Sequence, residues 1–220
     1  MPFFVGLDQA IHAWFDAHRT TLGTTLMRDV TALGGHAVLT LVVLFTVGLL
    51  VAVRRRRTAV IVLTAVLGGV LLSDGAKALV GRARPEVTDP ELALLLPHNP
   101  SFPSGHSLLA AVVYPTLALV VAGRFRRQRL APYLVSSSLL LAFLVGLSRL
   151  YLGVHYFTDV VVGWGGGLTW ALTCRWAADC WFVLRKQSPR PDEAAQRTAI
   201  APALDFAVTE ASISPQSQTA

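Results

Sequence analysis

Five long runs without a single charged residue, Ala37–Val53, Thr58–Ser73, Ser107–Gly123, Leu130–Ser148 and Val160–Cys174, dominate the chain. Each approaches the ~20 residues needed to cross a hydrocarbon core as a helix. One such run could be a buried helix of a soluble protein, but 220 residues cannot bury five. In lipid a helix satisfies its own backbone polar groups, and the runs show no strand-like alternation, so the expected fold class is all-α: an integral membrane helix bundle of five to six helices. The composition agrees, because 53% hydrophobic and 15% charged residues depart from the ~25% charged of an ordinary soluble domain.

Residues 1–35 read differently. Asp8, His12, Asp16, Arg19, Arg28 and Asp29 recur too often for a span. Leu7, Ile11, Trp14 and Phe15 share one helical face and Leu22, Leu26, Val30 and Leu33 another, which predicts two interfacial amphipathic helices. No short apolar stretch follows a basic N-terminus, so a cleavable signal peptide is not expected. Residues 36–187 form the transmembrane domain, and 188–220, rich in Pro, Ser, Gln and Ala, read as a disordered cytoplasmic tail. Cys174 and Cys180 lack metal-ligand spacing and read as small packing residues.

The formal net charge is +6. The Arg residues sit between apolar runs rather than along one polar face, which argues for topology and against nucleic acid. Arg54–Arg57, then Arg124, Arg126, Arg127 and Arg129, then Arg175, Arg185 and Lys186 follow the first, third and fifth runs. The positive-inside rule puts these ends in the cytoplasm and the opposite ends outside. Lys77, Arg82, Arg84 and Arg149 fall on the outer side, against that bias.

Three segments on that outer side explain the exceptions: KALVGRARP at 77–85, PSGH at 103–106 and SRLYLGVHYFTD at 148–159. His155 and Asp159, four apart, share one face of a helix, where the carboxylate can fix one imidazole nitrogen and leave the other as a nucleophile. Ser104 reads as the N-cap of an apolar helix whose free N–H groups, with Gly105 allowing close approach, suit an anion. His106 lies on the first turn, placed to give a proton to a leaving oxygen. Lys77, Arg84 and Arg149 supply fixed positive charge for phosphate oxygens.

Together the segments match K-x6-RP, PSGH and SR-x5-H-x3-D, so the chain resembles the type 2 phosphatidic acid phosphatase family of membrane lipid phosphatases. The resemblance implies that His155 attacks phosphorus to give a phosphohistidine, Asp159 orients it, and His106 is general acid and then base. Lys77, Arg84, Ser104, Gly105 and Arg149 would hold the phosphoryl oxygens of a lipid phosphate or diphosphate at the non-cytoplasmic face. No cofactor or metal is implied, and the sequence carries no signal of oligomeric state. Arg82 lies outside the pattern and reads as a side chain snorkelling toward lipid headgroups. His12, His18, His36 and His98 receive no role; the segment 86–102 either edges the site or merely connects.

Two other readings share these features. The same motifs occur in vanadium-dependent haloperoxidases, which are soluble, so the apolar runs count against them. A non-enzymatic lipid transporter or scaffold would bind headgroups without needing a nucleophile, a carboxylate and a second histidine.

Overall fold

The computed structural model describes residues 2–87, 99–123 and 129–187. The tail 188–220, the segment 88–98 with His98, and Arg124, Arg126 and Arg127 lie outside the described residues. The chain separates into the units Met1–Trp176 and Ala177–Ala220, and the packing below is that of the first.

Seven helices and no strands occur among the described residues: α1 (Pro2–Ala17), α2 (Thr21–Ala32), α3 (His36–Ala52), α4 (Arg56–Val80), α5 (Gly105–Ala122), α6 (Leu130–Tyr151) and α7 (Phe157–Gln187). The fold is an all-α membrane bundle. Four stretches are long and apolar enough to cross a membrane: Thr21–Ala52, which joins α2 to α3, and α4, α5 and α6. The fifth expected run lies in α7, which is not among the four. There Gly163, Gly165, Gly166 and Gly167 stand where the other spans carry branched aliphatics, so the run is uncharged without being strongly apolar.

Burial identifies α5 as the axis. Leu108, Leu109, Ala110, Ala111, Val112 and Val113 are all at most 4% exposed, so the helix is enclosed round its circumference. In contrast Leu44 and Phe45 of α3, Leu67 and Leu71 of α4, and Leu140 and Phe143 of α6 face outward, as lipid-contacting side chains do.

Small residues set how closely the helices approach. A Cβ on Gly163 would lie 2.8 Å from the Ser104 carbonyl oxygen, and one on Gly167 would lie 2.4 Å from that of Leu108. This four-residue spacing lets the α7 backbone rest on α5, which matters where lipid tails compete with every apolar contact. Two tryptophans of α7 fasten the other neighbours. Trp164 donates its indole N–H to the Ala142 carbonyl of α6 at 3.0 Å, and Trp170 donates to Ala65 of α4 at 2.8 Å. Gly146 and Gly68 leave the room those rings occupy.

Two helices, α1 and α2, occupy the N-terminal segment, with Thr20 capping α2 by accepting from the Gly23 amide at 3.1 Å. Trp14 and Leu22 are exposed. Other groups bind the bundle: the Tyr114 hydroxyl donates to the Leu33 carbonyl at 2.6 Å, and Arg19 Nε donates to the Tyr151 carbonyl at 3.2 Å. Asp8 is 1% exposed, so the polar residues of α1 do not all face solvent.

The α5–α7 seam gives a paired expectation for thermal unfolding in detergent. Gly167→Ala drives a methyl into the Leu108 carbonyl and costs roughly 1–3 kcal/mol. Gly165→Ala, with nothing within 4 Å of the added methyl, leaves the midpoint unchanged; equal losses from both would mean helix flexibility rather than close approach sets the stability.

Candidate active site

The end of α4 begins the site. Gly81 caps the helix in the left-handed region at φ 60° and returns its amide to the Lys77 carbonyl at 3.0 Å. Lys77 lies in the last turn, its Nζ 3.7 Å from where a Cβ on Gly105 would stand. Beyond Gly81 the chain leaves the helix and is tied to the residues that lead into the PSGH segment. Ser101 N donates to the Arg82 carbonyl at 2.8 Å, and Ser101 Oγ donates to that of Ala83 at 3.0 Å.

Ser104 caps α5, accepting from the Ser107 amide and from Ser107 Oγ at 2.9 Å. Its own amide donates to the Asp159 carbonyl at 3.0 Å, joining this helix start to that of α7. His106 stands on the first turn of α5, half-buried, its ring edge-on to His36 with centroids 6.1 Å apart. It makes no hydrogen bond to another described residue.

His155 and Asp159 meet, though by a different local structure from that expected. α7 begins at Phe157, so His155 precedes the helix rather than standing on it. Asp159 is in the first turn, and its Oδ2 accepts from the Tyr156 amide at 3.0 Å, the backward half of a capping box. The same oxygen lies 3.4 Å from His155 Nδ1. With Nδ1 protonated toward the carboxylate, Nε2 carries the lone pair, and it lies 3.1 Å from Arg84 Nη1. His155 is 3% exposed and Asp159 fully buried.

Burial pushes the His155 imidazole down to about 4; the Asp159 contact opposes this, and Arg149 and Arg84 add to it. The ring is therefore neutral at ordinary pH, as a nucleophile must be. Burial likewise holds the Arg84 guanidinium below the usual arginine range. Among the described residues Arg84 donates, besides the imidazole, to neutral acceptors only: the Asn99 carbonyl and side-chain oxygen and the Val154 carbonyl. Arg149, at the end of α6, is 8% exposed; its Nη1 donates to Thr31 Oγ1 at 2.8 Å and its Nε has no partner among the described residues. Buried guanidinium groups without carboxylates are costly by themselves, and an anion between them would relieve that cost.

Arg82 requires a correction. It does not snorkel toward headgroups: its Nη1 donates to Asp159 Oδ1 at 2.8 Å, its Nη2 donates to Asp8 Oδ2 at 2.6 Å, and its guanidinium lies 4.1 Å from the Tyr156 ring centroid. Sequence reasoning also missed Asp8. Its only trace there was one polar residue among the several of α1, together with an Arg on the side where the topology disfavours one. No group of three or more His, Cys, Asp or Glu side chains among the described residues could hold a metal ion.

Residues 58–181 match the family model described as PAP2 superfamily. Phosphatidylglycerophosphatase B of Bacillus subtilis (strain 168) is 38% identical over 101 residues, covering 44% of this chain and 47% of that protein. A PA-phosphatase related-family protein of Dictyostelium discoideum is 30% identical over 138 residues, covering 47% of this chain and 41% of that one. The chain thus spans about half or less of the length of the curated relatives it matches. Among solved structures, the first transmembrane PAP2 type phosphatidylglycerolphosphate phosphatase from Bacillus subtilis superposes with a TM-score of 0.72 at 28% identity, over 78% of this chain and 84% of that one. Aquifex aeolicus LpxE, at 24% identity and TM-score 0.58 over 76% and 94%, shares the fold. With the matched segment spanning more than half of its residues, the chain belongs to the PAP2 superfamily.

Proposed function

We propose that this protein is a membrane lipid phosphatase that removes phosphate from a lipid phosphate or diphosphate through a phosphohistidine. The observation that carries the reading is the buried His155 imidazole, Nδ1 toward Asp159 and Nε2 toward Arg84. In the first step the Nε2 lone pair attacks phosphorus, the bond from phosphorus to the lipid oxygen breaks, and His106 gives that oxygen its proton. In the second, water attacks the phosphohistidine, His106 takes the water proton, and the P–N bond breaks to return neutral His155 with phosphate. Lys77, Arg84, Arg149 and the Gly105 amide hold the phosphoryl oxygens through both steps; the Ser104 amide, expected to share this task, is engaged by the Asp159 carbonyl. Three cations and a helix N-terminus supply the neutralisation that phosphoryl transfer asks for, so the reaction runs without a metal.

The substrate is a polyprenyl diphosphate, phosphatidic acid or phosphatidylglycerol phosphate, the last favoured by the names of the relatives at 38% and 28% identity. A site at the ends of membrane helices takes a headgroup while its tails stay in lipid. The basic clusters that follow α3 and α5 support a non-cytoplasmic position for this end of the bundle.

Phosphate release from these three lipids, measured on purified protein in detergent, should continue undiminished in excess chelator and be inhibited by vanadate. Vanadate adopts the five-coordinate geometry of the transferring group. Activity that vanishes with chelator and returns with Mg²⁺ would show that a metal carries the charge instead. Single-turnover bursts separate the histidines. His155→Ala abolishes the burst for every substrate. His106→Ala loses about 10²–10⁴-fold with a lipid phosphate and much less with an aryl phosphate, whose leaving group needs no proton. The parent burst persists until pH falls through about 4, where protonation of His155 removes the lone pair; an acid limb near neutrality would place the nucleophile elsewhere. For orientation, Val87→Cys and Arg55→Cys, each in a background lacking Cys174 and Cys180, should label oppositely on intact cells. An impermeant thiol reagent that reaches position 55 and spares 87 would invert the topology.

A further inference from the structure

The catalytic carboxylate divides its oxygens. Asp159 Oδ2 serves His155 and the Tyr156 amide, while Oδ1 accepts from Arg82 at 2.8 Å. Arg82 is held in turn. Its Nη2 donates to Asp8 Oδ2 at 2.6 Å, its Nη1 donates to Thr158 Oγ1 at 2.7 Å, and its planar group lies over the Tyr156 ring. Asp8 also accepts from the Thr158 amide at 2.9 Å and from Thr158 Oγ1 at 2.7 Å. This carboxylate, 1% exposed, comes from α1, far outside the matched residues 58–181. A carboxylate so deeply buried is retained only when fully paired, and here every bond it makes runs to Arg82 or Thr158, which adjoin the catalytic pair.

We propose that Asp8 and Arg82 are positioning residues of the site: Asp8 of α1 locks the Arg82 fork, which fixes the Asp159 carboxylate so that Oδ2 faces His155. Neither residue touches the substrate. The inference rests on reading His155 and Asp159 as nucleophile and orienting partner. α1 is then part of the active site rather than only a surface anchor, and α2 acts in the same sense by presenting Thr31 to Arg149.

The arrangement has an electrostatic signature that simple docking of a helix lacks. The charged and titratable groups around the pair are Lys77 of α4, Arg82 and Arg84 of the link after it, His106 of α5, Arg149 of α6 and Asp8 of α1. Removing the Arg82 charge makes the pair bind its proton more readily, whereas removing the Asp8 charge makes it bind less readily. The test is the ring titration of His155 by NMR, on protein carrying isotope-labelled histidine in detergent without substrate, the resonance being assigned by its loss in His155→Ala. Arg82→Gln should move the midpoint to higher pH by about one unit, and Asp8→Asn should move it to lower pH by about half a unit. Turnover should fall on the order of 10-fold in both with KM held, as with outer-shell partners elsewhere.

Midpoints equal to the parent's, or shifted in one direction by both variants, would overturn the proposal. If Arg82→Gln yields no folded protein, Asp8→Asn decides alone: a fall in the midpoint supports the chain of contacts and an unchanged midpoint ends it. A parent that releases no phosphate would sink the phosphatase reading while leaving this titration intact, so the two failures are distinguishable.

Discussion

A carboxylate taken fully out of water costs several kcal/mol unless both of its oxygens are matched. Asp159 meets that condition by drawing on three parts of the chain. Tyr156 and His155 serve one oxygen and Arg82 the other, while the Asp159 carbonyl receives the Ser104 amide. The start of α7, the cap of α5 and the link after α4 therefore converge on one residue. Breaking that residue's pairing would loosen all three segments at once, which is why His155 and the start of α5 keep their relation.

Positive charge is the second constraint. Arg84 and Arg149 are held among neutral acceptors, without carboxylate partners among the described residues, and Lys77 is set beside Gly105. Arg82, by contrast, is satisfied by two carboxylates. Among the described residues, four cations at one end of the bundle thus divide into one paired with carboxylates and three that are not, which is the division the proposed phosphate site needs. Charge alone does not separate those roles; only the partners do.

The same distinction sets what could be read from the amino-acid sequence. The span positions, the Ser104 cap and the His155–Asp159 pair depend on residues within about one or two turns of each other, and local spacing exposes them. The pairing survives even though His155 lies ahead of α7, because a capping-box carboxylate reaches backward just as an i,i+4 partner would. Arg82 was misread because its partner Asp8 lies 74 positions away, on a helix whose pattern pointed to the membrane surface. The expected fifth span failed the apolar criterion for a comparable reason: absence of charge was legible in 160–174, whereas the glycines that thin its apolar surface serve contacts with α5.

Synthesis of the chain runs in one direction, and the Asp8 contacts do not. Asp8 is made well before Thr158, to which it is bonded twice across 150 positions. Until α7 emerges, α1 lacks a complete set of partners for its acid, which stays hydrated until then. Helices α3 to α6 can be inserted and packed during that interval. The docking of α1 onto Arg82 and Thr158 is therefore complete only once α7 has been made.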